Sequence, residues 1–178
     1  MVLRVTTLDQ LFASRIATIV PEAVGPTLAA EVRARLDRTG YTRFALLDRG
    51  SYEVAMEPDE PALVAALAGV AREVTGRSVV LVDARALRLG PGDYVLAHHD
   101  RRHADPLVEL MLDLSAASVP GADVHYRRHG KVVFQVVSRP GALSVVERSA
   151  ETSCHHAYVS KRHVGACVVR LVVRLRDA

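Results

Sequence analysis

From residue 79 to the end, the chain is a succession of short β-branched runs with no helical periodicity between them. The runs cover 79–89, 94–98, 107–114, 122–127, 132–137, 143–146, 156–159 and 168–175. Turn signals separate them: Gly90-Pro91-Gly92, Pro120-Gly121, His129-Gly130, Pro140-Gly141 and Val164-Gly165. Parallel βαβ units need a crossover helix between strands, and none fits here. Strands at this spacing fold as a sandwich or jelly roll. Ahead of them, 21–39 carries Val24, Leu28, Val32 and Leu36 every fourth residue, with Pro21 suited to a first turn and Gly40 to a C-terminus. A second stripe, Leu63, Leu67, Val70 and Val74, predicts a helix over 59–75 closed by Gly76. Between the helices, 41–47 and 51–56 flank Asp48-Arg49-Gly50 and predict a hairpin. The expectation is one α+β domain over 1–178: helical support and hairpin in 1–78, jelly-roll core in 79–178.

Composition narrows the function. A chain of 178 residues is the size of one ordinary domain. No apolar run approaches the ~18 residues of a membrane span, so no membrane is expected. The opening MVLRVTTLDQ lacks the apolar run of a signal peptide, which makes a cytoplasmic protein the expectation. Two cysteines, Cys154 and Cys167, cannot build a disulfide framework or a four-cysteine zinc site, and they read as small core residues. A net charge of +3 spread along the chain, 4% aromatics and no Trp argue against nucleic acid. All eight histidines fall between His98 and His163.

Among these, the segment 92–100 ends in His98-His99-Asp100. Side chains alternate faces in an extended chain, so His98 and Asp100 point one way and His99 the other. An imidazole and a carboxylate so placed can grip one metal ion. A third ligand is available in Cys154-His155-His156-Ala157-Tyr158, where only one of the two adjacent histidines can face the ion. His156 is preferred, because that parity also turns Tyr158 inward, and His155 is the alternative. Two histidines and one carboxylate leave three positions open, an arrangement suited to non-haem iron(II) that must take a co-substrate and dioxygen together. Later, Arg170 interrupts the apolar run 168–173. A buried guanidinium needs an anionic partner, either a bound carboxylate in bidentate geometry or an internal Asp or Glu. Arg174 and Arg176 share its parity. Arg101 and Arg102 follow Asp100 directly and either meet an acidic substrate or sit in a solvated loop.

In this order (H-x-D, several strands, His, then Arg in the last strand) the sequence resembles the iron(II)- and 2-oxoglutarate-dependent oxygenases, especially their prolyl-hydroxylase-like branch. The resemblance runs from the first helix to the end. It is carried by Leu89-Gly90-Pro91-Gly92-Asp93-Tyr94 before the H-x-D, Leu110-Met111-Leu112-Asp113-Leu114-Ser115, the turn Pro120-Gly121-Ala122-Asp123, and Pro140-Gly141-Ala142-Leu143-Ser144-Val145-Val146. It implies a double-stranded β-helix (jelly roll, cupin-like) with N-terminal helices packed on the outer face. It implies iron(II) on His98, Asp100 and His156, and 2-oxoglutarate held through its distal carboxylate by Arg170. Tyr94 has the strand parity of His98 and either touches the co-substrate or fills the barrel. Arg170 stands fourteen positions after His156, farther than the family's usual spacing, which predicts an enlarged 160–165 turn.

The implied activity is a dioxygenase reaction that consumes dioxygen, releases succinate and carbon dioxide, and hydroxylates an aliphatic carbon. An intact Asp100 separates the chain from related halogenases. The expected partner is a small-molecule substrate or biosynthetic intermediate, admitted between the hairpin 41–56 and the loop 101–106, with Arg101 or Arg102 meeting an anionic group. Pairing with a second copy of the chain is left open. The alternatives are a non-catalytic cupin-like metal- or ligand-binding protein, and a member of the same superfamily that modifies protein or nucleic acid.

Overall fold

Pro26 and Pro61 open the two long helices, each at a first-turn position where a missing N–H costs nothing. The computed structural model describes residue 12 and residues 17–46, 50–96 and 105–178. Through these the chain runs β1 (Ala17–Val20), α1 (Pro26–Thr39), β2 (Thr42–Leu46), β3 (Gly50–Met56), α2 (Pro61–Thr75), β4 (Val79–Leu89), β5 (Tyr94–Val95), β6 (Leu107–Asp113), β7 (Val124–Arg128), β8 (Lys131–Val136), β9 (Leu143–Arg148), β10 (Thr152–His156) and β11 (Val168–Asp177). α1 starts later than the apolar spacing predicts. Pro21 and Val24 lie in the preceding turn, Leu28 is exposed, and the buried stripe is Ala29, Val32 and Leu36. α2 buries Val64, Leu67, Ala68, Ala71 and Val74 and ends where Gly76, at φ 66°, donates its N–H to the Arg72 carbonyl.

Every strand pairing is antiparallel, and the order is β1-β9-β6-β11-β4-β3-β5-β10-β7-β8, with β2 added to β3. β3 is the fold line. Glu53–Met56 pair with β4, while Gly50 and Ser51 pair with β5. The sheet therefore doubles over into a larger half, β1-β9-β6-β11-β4, facing a smaller half, β5-β10-β7-β8. The architecture is α+β: a jelly roll with helices on its outer face. Alternation along β11 divides the core. Val169, Leu171, Val173 and Leu175 join the helices in one cluster, and Val168 and Val172 join Leu87, Met111, Val124 and Tyr126 in a second cluster between the two halves. Arg170 and Arg174 share the second parity and so face the barrel interior.

Two expectations change and a third is met. β1, β2 and β3 precede residue 78 yet belong to the sheet, so the jelly roll is not confined to 79–178. The run expected over 156–159 is instead β10, which ends at His156. The expected hairpin is present as β2 and β3, its link 47–49 lying outside the described residues. Among the described residues, no helix is long and apolar enough to cross a membrane.

Candidate metal and co-substrate site

Strand register separates the two adjacent histidines. His156 pairs with Val95 of β5 and Val124 of β7, both members of the interior cluster, and it is 3% exposed. Thr152 and Cys154 share its face and are also buried. His155 faces outward from the smaller half. There it stacks on its cross-strand partner His125, with ring centroids 5.4 Å apart. Tyr158, expected inward, is 48% exposed. Its parity is not inherited from β10, because the strand stops at His156 and the chain turns: Ala157 donates its N–H to the Asp123 carbonyl and Val159 to that of Asp93.

Arg170 is also 3% exposed and reaches the same point from the opposite half. Its Nη1 lies 2.7 Å from His156 Nδ1, and its Nη2 donates to the Ala122 carbonyl. Among the described residues no carboxylate lies within ion-pair distance of Arg170. Asp113, its Cα partner on β6, is engaged elsewhere: its carboxylate accepts from the Ser115 and Arg139 N–H groups at 2.9 and 2.8 Å and from Ser138 Oγ. Burial, reinforced by the Arg170 and Arg85 charges, holds the His156 imidazole well below the usual histidine range. Burial also lowers Arg170 from the usual arginine range. A neutral imidazole beside a buried cation is a donor set for a metal ion and an anion together.

Arg174 has a different environment. Its Nε donates to Glu109 Oε2 at 3.0 Å, and Arg148 Nη1 donates to the same oxygen at 2.8 Å. Tyr126 donates its hydroxyl to Glu109 Oε1 at 2.9 Å, reaching across from the smaller half. Burial raises the Glu109 carboxyl, but Arg148, Arg174 and Arg85 outweigh it and bring it down to about 2. Sequence reasoning missed this network. The available signal was Glu109 interrupting the apolar run 107–114, directly across β6 and β11 from Arg174. Arg176 is exposed near the end of β11.

Tyr94, expected to touch the co-substrate, is on the face opposite Val95, and its ring lies 6.3 Å from that of Tyr158. Strand alternation thus directs it away from the Arg170–His156 contact. The other expected site residues, His98, Asp100, Arg101 and Arg102, lie outside the described residues. Among the described residues no three metal-ligating side chains come together. Ahead of residue 97 the chain is anchored at Asp93. Asp93, 3% exposed, accepts from Arg43 Nη1 and Nη2 at 2.8 and 2.5 Å, from Ser51 Oγ at 2.6 Å and from the Gly90 N–H at 2.8 Å. Burial pushes the Asp93 carboxyl up, and these donors together pull it below its usual range. Gly92 donates its N–H to the Val159 carbonyl, and Val159 donates back to Asp93. The hairpin, the start of β5 and the exit of β10 therefore meet at one carboxylate.

No family model matches the sequence, and no curated protein matches it. Solved structures do. A prolyl-4-hydroxylase from Pseudomonas putida superposes with a TM-score of 0.72 at 16% identity, over 96% of this chain and 97% of that one. The non-haem, α-ketoglutarate-dependent epimerase SnoN from nogalamycin biosynthesis gives 0.73 at 13%, over 96% and 82%. EvdO2 from Micromonospora carbonacea var. aurantiaca, solved with 2-oxoglutarate, gives 0.67 at 15%, over 100% and 92%. The chain has the jelly-roll fold of the iron- and 2-oxoglutarate-dependent oxygenases, a fold used by a hydroxylase and an epimerase alike.

Proposed function

We propose that this chain is an iron(II)- and 2-oxoglutarate-dependent dioxygenase that hydroxylates an aliphatic carbon of a small molecule or biosynthetic intermediate. The observation that carries the reading is the meeting of His156 and Arg170 inside the barrel. One is a buried neutral imidazole, and the other a buried guanidinium with no carboxylate of the described chain to neutralise it. Together they fit a metal ion and a carboxylate co-substrate. His98, Asp100 and His156 would hold the metal, and Arg170 would take the distal carboxylate of 2-oxoglutarate through its planar fork. When bound, iron(II) and 2-oxoglutarate supply oxidising power from dioxygen and release succinate and carbon dioxide.

The chain's own residues position and shield. β5 and β7 fix the His156 backbone from both sides, so the ring enters the barrel in one orientation. Leu87, Val95, Val124 and Val172 wall the interior and keep water from the reacting centre. Arg101 and Arg102 would meet an anionic group on the substrate. Both cysteines are free thiols, which suits the cytoplasm.

The test is succinate formation from 2-oxoglutarate by the purified chain with iron(II) and air. The wild type and His155→Ala should turn over, because His155 faces outward, and His156→Ala should lose at least ~100-fold. Absence of iron-dependent succinate, or full activity in His156→Ala, would refute the assignment. With a substrate in hand, gain of one oxygen atom in the product separates hydroxylation from epimerisation.

A further inference from the structure

Arg170 and His156 are joined by a hydrogen bond that a metal ion on His156 would abolish. A guanidinium has only donors, so in the 2.7 Å contact Nη1 donates and Nδ1 supplies the lone pair. The proton of the ring then sits on Nε2. A divalent cation needs a lone pair from the same ring. If it takes Nε2, the proton is transferred to Nδ1, with none gained or lost overall, and Nδ1 can no longer accept. If it takes Nδ1, it displaces Nη1 directly. In either case Arg170 is left with the Ala122 carbonyl as its remaining described partner. A buried guanidinium stripped of an acceptor strongly favours a new anionic one.

We infer that Arg170 is a metal-gated anchor: it is held on His156 in the metal-free chain, and metal loading of His156 releases it to the carboxylate of the co-substrate. This rests on the proposed ligand role of His156 and adds a coupling that does not pass through shared coordination of the metal. Linkage makes the coupling reciprocal. A carboxylate that draws Arg170 away exposes the His156 lone pair and tightens metal binding. The metal-free chain in turn weakens its own metal site, because Arg170 competes for the ring.

Zinc(II), which is diamagnetic, tests this on the full chain without turnover. Nitrogen NMR of the His156 ring should show Nδ1 as a hydrogen-bonded, unprotonated acceptor in the metal-free protein. A slowly exchanging Arg170 Nη proton should accompany it. Zinc should erase that Arg170 signature. A proton on Nδ1 before zinc is added, or an Arg170 signature that survives zinc, overturns the gate while leaving His156 as a ligand. His156 resonances that ignore zinc would instead remove His156 from the metal site, and the proposed function with it. By calorimetry and without co-substrate, Arg170→Met should bind zinc about tenfold more tightly than the wild type, the equivalent of one charged hydrogen bond no longer broken. Equal affinity would contradict the competition. The wild-type spectra stand as the test should that variant fail to fold.

Discussion

At residue scale two side chains from opposite halves of the barrel, His156 and Arg170, make the site. Arg170→Ala should weaken 2-oxoglutarate binding by ~2–4 kcal/mol, the range for truncating one member of a desolvated charge pair. Arg170→Lys should recover only part, because an ammonium offers a point charge in place of a planar fork. Titration of the metal-loaded, oxygen-free protein with 2-oxoglutarate measures both, and unchanged affinity in Arg170→Ala would move the anchor elsewhere. Arg170 was legible in the sequence as a charge inside an apolar run. His156 does face inward, but the sequence argument for preferring it rested on Tyr158, which is exposed. The reasoning about Tyr158 and Tyr94 was not sound, because it extended strand alternation past the ends of strands. β10 stops at His156, and β5 comprises only Tyr94–Val95. Parity holds only as far as the ladder that enforces it.

The elements that matter most are the short ones joining the halves. Among the described residues, β3 pairs with β5 only through Gly50 and Ser51. Gly50 sits at φ 121°, and a Cβ there would come within 2.5 Å of the Tyr94 carbonyl oxygen. Backbone cannot yield as a flexible side chain can. Gly50→Ala should therefore cost more than ~1 kcal/mol and loosen β5, the strand that leads to His98. Chemical denaturation reads the first effect and zinc affinity the second. A variant as stable as the wild type would show that the β3–β5 contact gives way cheaply. The long strands β4, β6 and β11 were legible to within two residues, since β-branched runs between Gly and Pro turns leave little choice. β1 was not, because Ala17–Val20 is too short to carry a pattern and owes its strand conformation to pairing with β9. The start of α1 was misplaced for a related reason: Val24 is buried from a turn and so imitates the helical stripe.

For the whole molecule, Glu109 is the tie across the barrel. It receives Arg148 and Arg174 from the larger half and the Tyr126 hydroxyl from the smaller one. Its carboxyl is held at about 2, below its ordinary 4.5, so its stabilising charge is fully present above the ordinary value. That contribution is lost as pH falls through the folded value. The wild type should thus lose stability steadily from about pH 4.5 to about pH 2, and Glu109→Gln should lack that component. At neutral pH Glu109→Gln should cost ~3–5 kcal/mol, because two buried guanidinium groups lose the carboxylate they share. Denaturation midpoints across pH check both statements, and parallel curves for the two proteins would contradict them. Jelly-roll architecture was readable from strand spacing, but this interior network was not. A single Glu in an apolar run announces a partner without saying which strand brings it.

On the proposed function, one barrel interior receives a metal ion on His156 and a dicarboxylate on Arg170. A crystal structure of the chain soaked with manganese(II) and 2-oxoglutarate under nitrogen tests it most directly. One manganese ion should lie about 2.0–2.2 Å from a His156 ring nitrogen. The distal carboxylate of 2-oxoglutarate should pair with the Arg170 guanidinium, which will have left Nδ1. An ion bound away from His156, or 2-oxoglutarate bound with Arg170 still on that nitrogen, would contradict it.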